Sequence, residues 1–228
     1  MVAFEKQSVR YAEATGNLGN EGLQQSLCLF TRSGEWTLLM SLFIESHNCK
    51  IPICAHNLSH KQYEMDLAFE AILNEFSKGT NNETNLKTVF CTNYHLHMSN
   101  DKVLPMVDVI TEYVHSFAKQ AYLSEHDTLE LDPYNVWGAL YDVGDYAVVH
   151  HHFPAAISTV LYLSIENRET AAPIIVEGKE YKPYTGMLMI FPGIAHHHVP
   201  KTDSKRVVMS INYTLKADIT FYKEDEAD

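Results

Sequence analysis

The chain has 228 residues, with 17 Lys and Arg against 29 Asp and Glu and a formal net charge of −12. Hydrophobic residues make up 46% and charged residues 20%, a composition that suits a globular chain long enough to bury a core. The acidic balance excludes an ordinary nucleic-acid partner, because phosphate binding draws on clustered Lys and Arg. No apolar run approaches the roughly 18 residues that span a bilayer, so no membrane partner is expected. The opening stretch MVAFEKQSVRYAEATG has no apolar segment of the secretory kind. Cys28, Cys49, Cys54 and Cys91 are irregularly spaced and form neither a CxxC pair nor a dense disulfide framework. A cytoplasmic protein with free thiols is the expectation.

In chain order, short strands are expected at 27–30, 36–44 and 51–55, broken by the turn signal Arg32-Ser33-Gly34. A helix follows. Ser59 and Gln62 have the spacing of a capping box, and Met65, Ala68, Phe69, Ile72, Leu73 and Phe76 recur at helical spacing up to Lys78-Gly79. After the polar loop 79–85, a second helix is expected over 104–123. Asn100 or Asp101 would cap it, Pro105 suits its first turn, and Leu104, Val107, Ile110, Val114, Phe117 and Ala121 form one apolar stripe. From Tyr134 the pattern changes to strands at 135–143, 146–152, 157–165, 173–177, 187–191 and 206–215. Six strands at this spacing read as a β-sandwich or jelly roll. The fold expected is mainly β with helices packed on one face. It forms one structural domain: an N-terminal layer (1–130), a β core (131–217) and an acidic tail (218–228).

The 13 histidines carry the chemical signal, because six of them form the triplets His150-His151-His152 and His196-His197-His198. Side chains alternate along a strand, so His150 and His152 point one way and His151 the other. Two imidazoles from one strand and a third from a strand about 45 residues later would make a facial metal site with open positions. Imidazole suits Fe, Zn, Cu or Ni, so ligand type alone does not choose the ion. His115 and His126 read as ordinary packed or solvated residues, and His95-Leu96-His97 as plain strand alternation.

The last strand adds a second clue. In RVVMSINYTL, Val207, Met209, Ile211, Tyr213 and Leu215 share one face and belong in a packed core. Arg206, Ser210 and Asn212 then face a polar interior. An arginine aimed into a cavity is costly unless it meets an anion, best a carboxylate that accepts two parallel hydrogen bonds. In ISTVLYLSI, Tyr162 shares a face with Ser158, Val160 and Ser164 and would add a phenolic hydrogen bond.

The order Tyr141-x-x-Gly144, His150-x-His152, Ser158-x-x-Val-x-Tyr162-Leu163, Gly186-Met-Leu-Met-Ile-Phe191-Pro192, His197-x-Val199-Pro200 and Arg206 resembles the 2-oxoglutarate- and Fe(II)-dependent oxygenases, in particular their prolyl-hydroxylase-like branch. The resemblance covers roughly 134–215. It implies a double-stranded β-helix, a cupin-like jelly roll. Fe(II) would be held by the catalytic residues His150, His152 and His197, and Arg206 and Tyr162 would hold the distal carboxylate of 2-oxoglutarate. Ser210, Asn212 and Tyr141 complete the expected cosubstrate pocket. The reaction implied consumes O2 and 2-oxoglutarate, releases succinate and CO2, and hydroxylates a C–H bond of a peptide or small-molecule substrate. One departure stands out: many members carry a carboxylate where this chain has His152. Were that ring to swing away, Asp142 or Asp145 would be the nearby carboxylates. His151 and the Gly144-Asp145-Tyr146 turn are expected near the mouth. Two other readings stay open, a three-histidine cupin-type enzyme without 2-oxoglutarate and a non-catalytic metal-binding jelly roll. The residues do not specify oligomeric state.

Overall fold

A computed structural model of the chain describes residues 51–79, 81, 84–122 and 130–216. The strands expected at 27–30 and 36–44, Cys28, Cys49, His126 and the acidic tail 218–228 lie outside the described residues. The described elements run β1 (Cys54–Asn57), α1 (Gln62–Ser77), β2 (Leu86–Lys87), β3 (Phe90–Cys91), α2 (Leu96–Ser99), a 3-10 turn (Asp101–Val103), α3 (Leu104–Tyr122), β4 (Leu131–Tyr141), β5 (Tyr146–His150), β6 (Ile157–Ile165), β7 (Ile174–Val176), β8 (Lys179–Tyr181), β9 (Met187–Pro192), β10 (His197–Val199) and β11 (Arg206–Leu215). They form two antiparallel sheets, ordered β1-β9-β6-β11-β4-β3 and β2-β5-β10-β7-β8. From β4 to β11 the chain winds back and forth between the sheets, with β7 and β8 forming a hairpin within the smaller one, as in a double-stranded β-helix.

Each face of the larger sheet has its own core. On the outer face, Met65, Ala68, Ala71 and Ile72 of α1 and Val107, Ile110, Val114 and Phe117 of α3 pack against Val207, Met209, Ile211 and Tyr213 of β11. Between the sheets lie Ala139, Tyr162, Ile174, Val176, Met189, Phe191, Val199 and Val208. The period-two reading of β11 therefore holds, and it divides the strand between the two layers. The apolar stripes of both helices face the sheet, except at Leu73 and Phe76 of α1 and at Leu104 of α3, which are exposed.

Several expectations are corrected. The strand expected at 51–55 lies at Cys54–Asn57. The Ser59–Gln62 capping box does not form, since α1 starts after Lys61, which makes no side-chain cap bond. Ser59 Oγ instead donates to Asn57 Oδ1 at 2.6 Å, a local turn that competes with capping. Leu73 and Phe76 are partly exposed rather than core residues; Phe76 meets Phe90 edge-on, with centroids 5.3 Å apart. His95-Leu96-His97 is not a strand. Asn93 Oδ1 accepts from His95 N at 2.8 Å, and the chain then enters α2 with Leu96 fully buried. The strands β2, β3, β8 and β10, of two or three residues each, were too short to show an alternation. Cys54 and Cys91 are free thiols as expected, His115 is exposed on α3, and none of the described helices is long and apolar enough to cross a membrane.

Gly138 in β4 shows how closely α1 approaches the sheet. A Cβ there would collide with the side chain of Ile72, which is completely buried. Gly138→Val is expected to destabilise the protein by about 1–3 kcal/mol through overpacking. Adding Ile72→Ala should recover part of that loss, measured by denaturant unfolding of the single and double variants.

Candidate metal centre

The register of the smaller sheet creates the cluster. His197 opens β10 and pairs directly across the antiparallel ladder with His150, the last residue of β5. Their ring centroids lie 4.2 Å apart. His152 follows two residues beyond the strand. Its N–H donates to Gly193 O at 2.7 Å and its carbonyl accepts from Ala155 N at 2.8 Å, placing its ring 5.0 Å from His150 and 4.9 Å from His197. A Cβ on Gly193 would collide with the Ala155 carbonyl, so a glycine lets these two loops meet. The potential ligand atoms of His150, His152 and His197 all lie within 4.8 Å of one another. His151 points elsewhere and meets His196 at 5.2 Å.

Two of the rings are oriented for coordination. The carbonyls of Val148 and Ala195 face Nδ1 of His150 and His197 at 2.7 and 3.0 Å, so each Nδ1–H donates and each Nε2 keeps its lone pair. His152 has no side-chain hydrogen bond within the described residues; Trp137 packs beside it, with centroids 5.6 Å apart. Burial, reinforced by repulsion from the neighbouring imidazoles, pushes His152 down to about 3 and His197 to about 4, and burial also lowers His150. Near neutral pH the three rings are uncharged, as a metal ligand must be.

A narrow cavity opens beside them, lined by Tyr141, Tyr162, Val208, Ser210 and Arg206 among others. Arg206 is 2% exposed. Its Nη1 donates to Ala172 O at 3.0 Å, whereas Nε and Nη2 are buried without a partner. The guanidinium lies 4.3 Å from the ring centroid of Tyr141 and 5.8 Å from that of Tyr162. Burial raises both phenols, against the pull of Arg206, so both stay protonated donors. None of the cavity-lining residues is acidic. A buried guanidinium with two idle N–H groups fits a carboxylate ligand, which accepts both at once.

The expected residues therefore fall into two places. His150, His152, His197, Arg206, Tyr162, Tyr141 and Ser210 line one cavity. Asn212 lines a wider groove that shares Leu86, Trp137, His150 and His152 with it, and its Oδ1 accepts from Ser158 Oγ at 2.7 Å. His151 lines the groove as expected, but the Gly144-Asp145-Tyr146 turn lines neither space. Asp142 and Asp145 do not reach the histidines. Asp145 Oδ2 accepts from the backbone N–H groups of Val89 and Asp142, and Asp142 Oδ1 from that of Val143. Trp137 was missed. Pairing 135–143 with 206–215 would have revealed it, because Trp137 sits opposite Ser210, and Tyr141 opposite Arg206, on the cavity face.

Solved structures with this arrangement of strands include the viral collagen prolyl hydroxylase vCPH of Paramecium bursaria Chlorella virus-1 in complex with 2-oxoglutarate. It is 12% identical, with a TM-score of 0.52 over 71% of this chain and 94% of that one. A prolyl-4-hydroxylase of Pseudomonas putida is 14% identical, with a TM-score of 0.52 over 73% and 94%. A prolyl hydroxylase of Trichoplax adhaerens, in complex with a hypoxia inducible factor peptide fragment, is 14% identical, with a TM-score of 0.55 over 71% and 83%. The chain has the fold of the 2-oxoglutarate/Fe(II) oxygenases. No protein-family model and no curated protein matches its sequence. Within this oxygenase fold, strands β4 to β11 form the double-stranded β-helix, and the three-histidine cluster lies between its sheets.

The depressed histidines link the site to stability. In the unfolded chain a histidine titrates near 6.5, so as pH falls the unfolded state takes up protons before folded His152 and His197 do. Their contribution is present above about pH 6.5 and is lost as pH falls toward about 4 for His197 and about 3 for His152. The melting temperature of metal-free protein is expected to drop across that window, and His152→Gln to flatten the drop, as measured by circular dichroism in chelator.

Proposed function

We propose that the chain is a 2-oxoglutarate- and Fe(II)-dependent dioxygenase that hydroxylates a C–H bond and releases succinate and CO2. The observation that carries this reading is the buried, half-unpaired guanidinium of Arg206 in the same cavity as the three neutral imidazoles. His150, His152 and His197 would hold Fe(II). Arg206 and Tyr162 would hold the distal carboxylate of 2-oxoglutarate, with Tyr141 and Ser210 lining its pocket. Bound together, the iron and its cosubstrate supply the activation of O2 that protein side chains lack.

The chain's own residues do the rest. The Val148 and Ala195 carbonyls fix two ligand rings. The phenols of Tyr141 and Tyr162 remain neutral donors beside Arg206, whose cost of burial a carboxylate would offset. Trp137, Val160, Ile174, Val199 and Val208 keep the cavity apolar elsewhere and exclude water. Residues 131–217 form the catalytic core in this reading, with α1 and α3 as its support.

The substrate would enter by the wider groove, which presents Tyr94, Tyr134, Trp137 and Phe153 together with the carboxamides of Asn85, Asn135 and Asn212, and no Asp, Glu, Lys or Arg. Carboxamides both donate and accept, which suits an uncharged peptide segment or an amino-acid derivative, and a prolyl residue fits the aromatic walls. The peptide complex of the Trichoplax neighbour supports the same class. A cytoplasmic setting, where ferrous iron and thiols stay reduced, belongs to this reading.

The test is anaerobic loading with Fe(II) followed by O2 and 2-oxoglutarate, with succinate measured. Wild type should release succinate, and His150→Ala and Arg206→Ala should each lower the rate about a hundredfold or more, as expected when a ligand or a positioning clamp is lost. Arg206→Lys should mainly raise KM for 2-oxoglutarate, because a lysine does not reproduce the two-pronged contact. Turnover of another substrate that ignores Arg206 would favour a cupin-type enzyme. Metal binding without any succinate would leave a binding protein.

A further inference from the structure

We infer that His152 sets the metal preference of this centre, making it an all-imidazole site that discriminates against hard ions such as Mn(II). The inference rests on the metal-centre reading above and goes further, since it concerns which ion the chain prefers to hold. Three observations carry it. The donor set offers three ring nitrogens and no oxygen. No acidic side chain lines the cavity or the adjoining groove, although the chain has 29 acidic residues. Three carboxylates are engaged elsewhere: Asp142 and Asp145 accept turn N–H groups, and Glu177 Oε1 accepts from His196 N at 2.6 Å on the far side of β10.

Neutral imidazoles bind by lone-pair donation and compensate none of the ion's charge. Such a set favours Co(II), Ni(II), Cu(II) and Zn(II), whereas an anionic oxygen ligand narrows their advantage over Mn(II) and Fe(II). Arg206 adds a second uncompensated positive charge to the same cavity, which further disfavours ions that depend on electrostatic attraction alone. Among the three ligands, His152 is the one whose ring no hydrogen bond fixes. Its position beyond the end of β5, held through Gly193 O and Ala155 N, can accept a shorter side chain without disturbing the ladder that pairs His150 with His197. This residue alone therefore decides whether the site is all-nitrogen or mixed. Iron loading would be open to displacement by zinc.

The test titrates metal-free protein with Mn(II), Co(II), Zn(II) and, anaerobically, Fe(II), for wild type and His152→Asp, with dissociation constants as the readout. Wild type should favour Zn(II) over Mn(II) by a ratio about tenfold or more larger than in His152→Asp, because one anionic oxygen replaces one neutral nitrogen. The visible absorption bands of the Co(II)-loaded protein should also move between the two. His152→Glu and His152→Asn, checked by circular dichroism, serve if His152→Asp does not fold. The anionic Glu should shrink the ratio and the neutral Asn should not. A ratio unchanged by Asp and Glu, in a wild type that binds one ion per chain, overturns the inference and leaves the metal centre standing. A folded wild type that binds none of the four ions overturns the metal centre itself, and the inference with it.

Discussion

The site depends on one antiparallel pairing, that of β5 with β10. It places His150 opposite His197 and so brings together two imidazoles that are 47 positions apart in sequence. In an antiparallel ladder directly opposed residues have side chains on the same face and in contact. A slip of one residue would send His196 or His198 inward and His197 outward. The surrounding structure resists such a slip. Val199, two residues after His197 and beyond a register shift in the β5–β10 pairing, is buried between the sheets with Val176 and Phe191, while His196 remains on the outside beside Glu177.

The second determinant is charge. The cavity between the sheets holds an arginine with two idle N–H groups and no acidic residue to meet it. Stacking on Tyr141 and one bond to Ala172 O lower the cost without removing it. That unmet charge is the ground for the proposed carboxylate site, because in an apolar core the same volume could be filled at lower cost by packed hydrocarbon. The proximity of that anion site to three neutral imidazoles links two features that are each ambiguous alone.

Most of this was legible because the longest strands follow the period-two rule. Strands 157–165 and 206–215 match the observed β6 and β11, and their alternation alone turns Tyr162, Arg206 and Ser210 toward the cavity. The helices were legible from their apolar stripes, and α3 also from its start at Leu104; the start of α1 was not, since Asn57 and Ser59 satisfy each other locally. The short elements were illegible for a physical reason. Two or three residues cannot display a period, and β10 consists of two histidines and a valine. Tertiary context decided His95 and His97, where the Asn93 turn and the burial of Leu96 override an apparent alternation. Trp137 required knowledge of which strands pair, which no single segment contains.

Gly193 ties the third ring to the backbone. Its carbonyl anchors His152 and its bare α-carbon admits the Ala155 carbonyl, while the ladder anchors His150 and His197. The spacing of the three rings is thus written in peptide groups. Peptide groups are common to every amino acid, so side chains elsewhere in the barrel can drift widely before the geometry of the centre is disturbed.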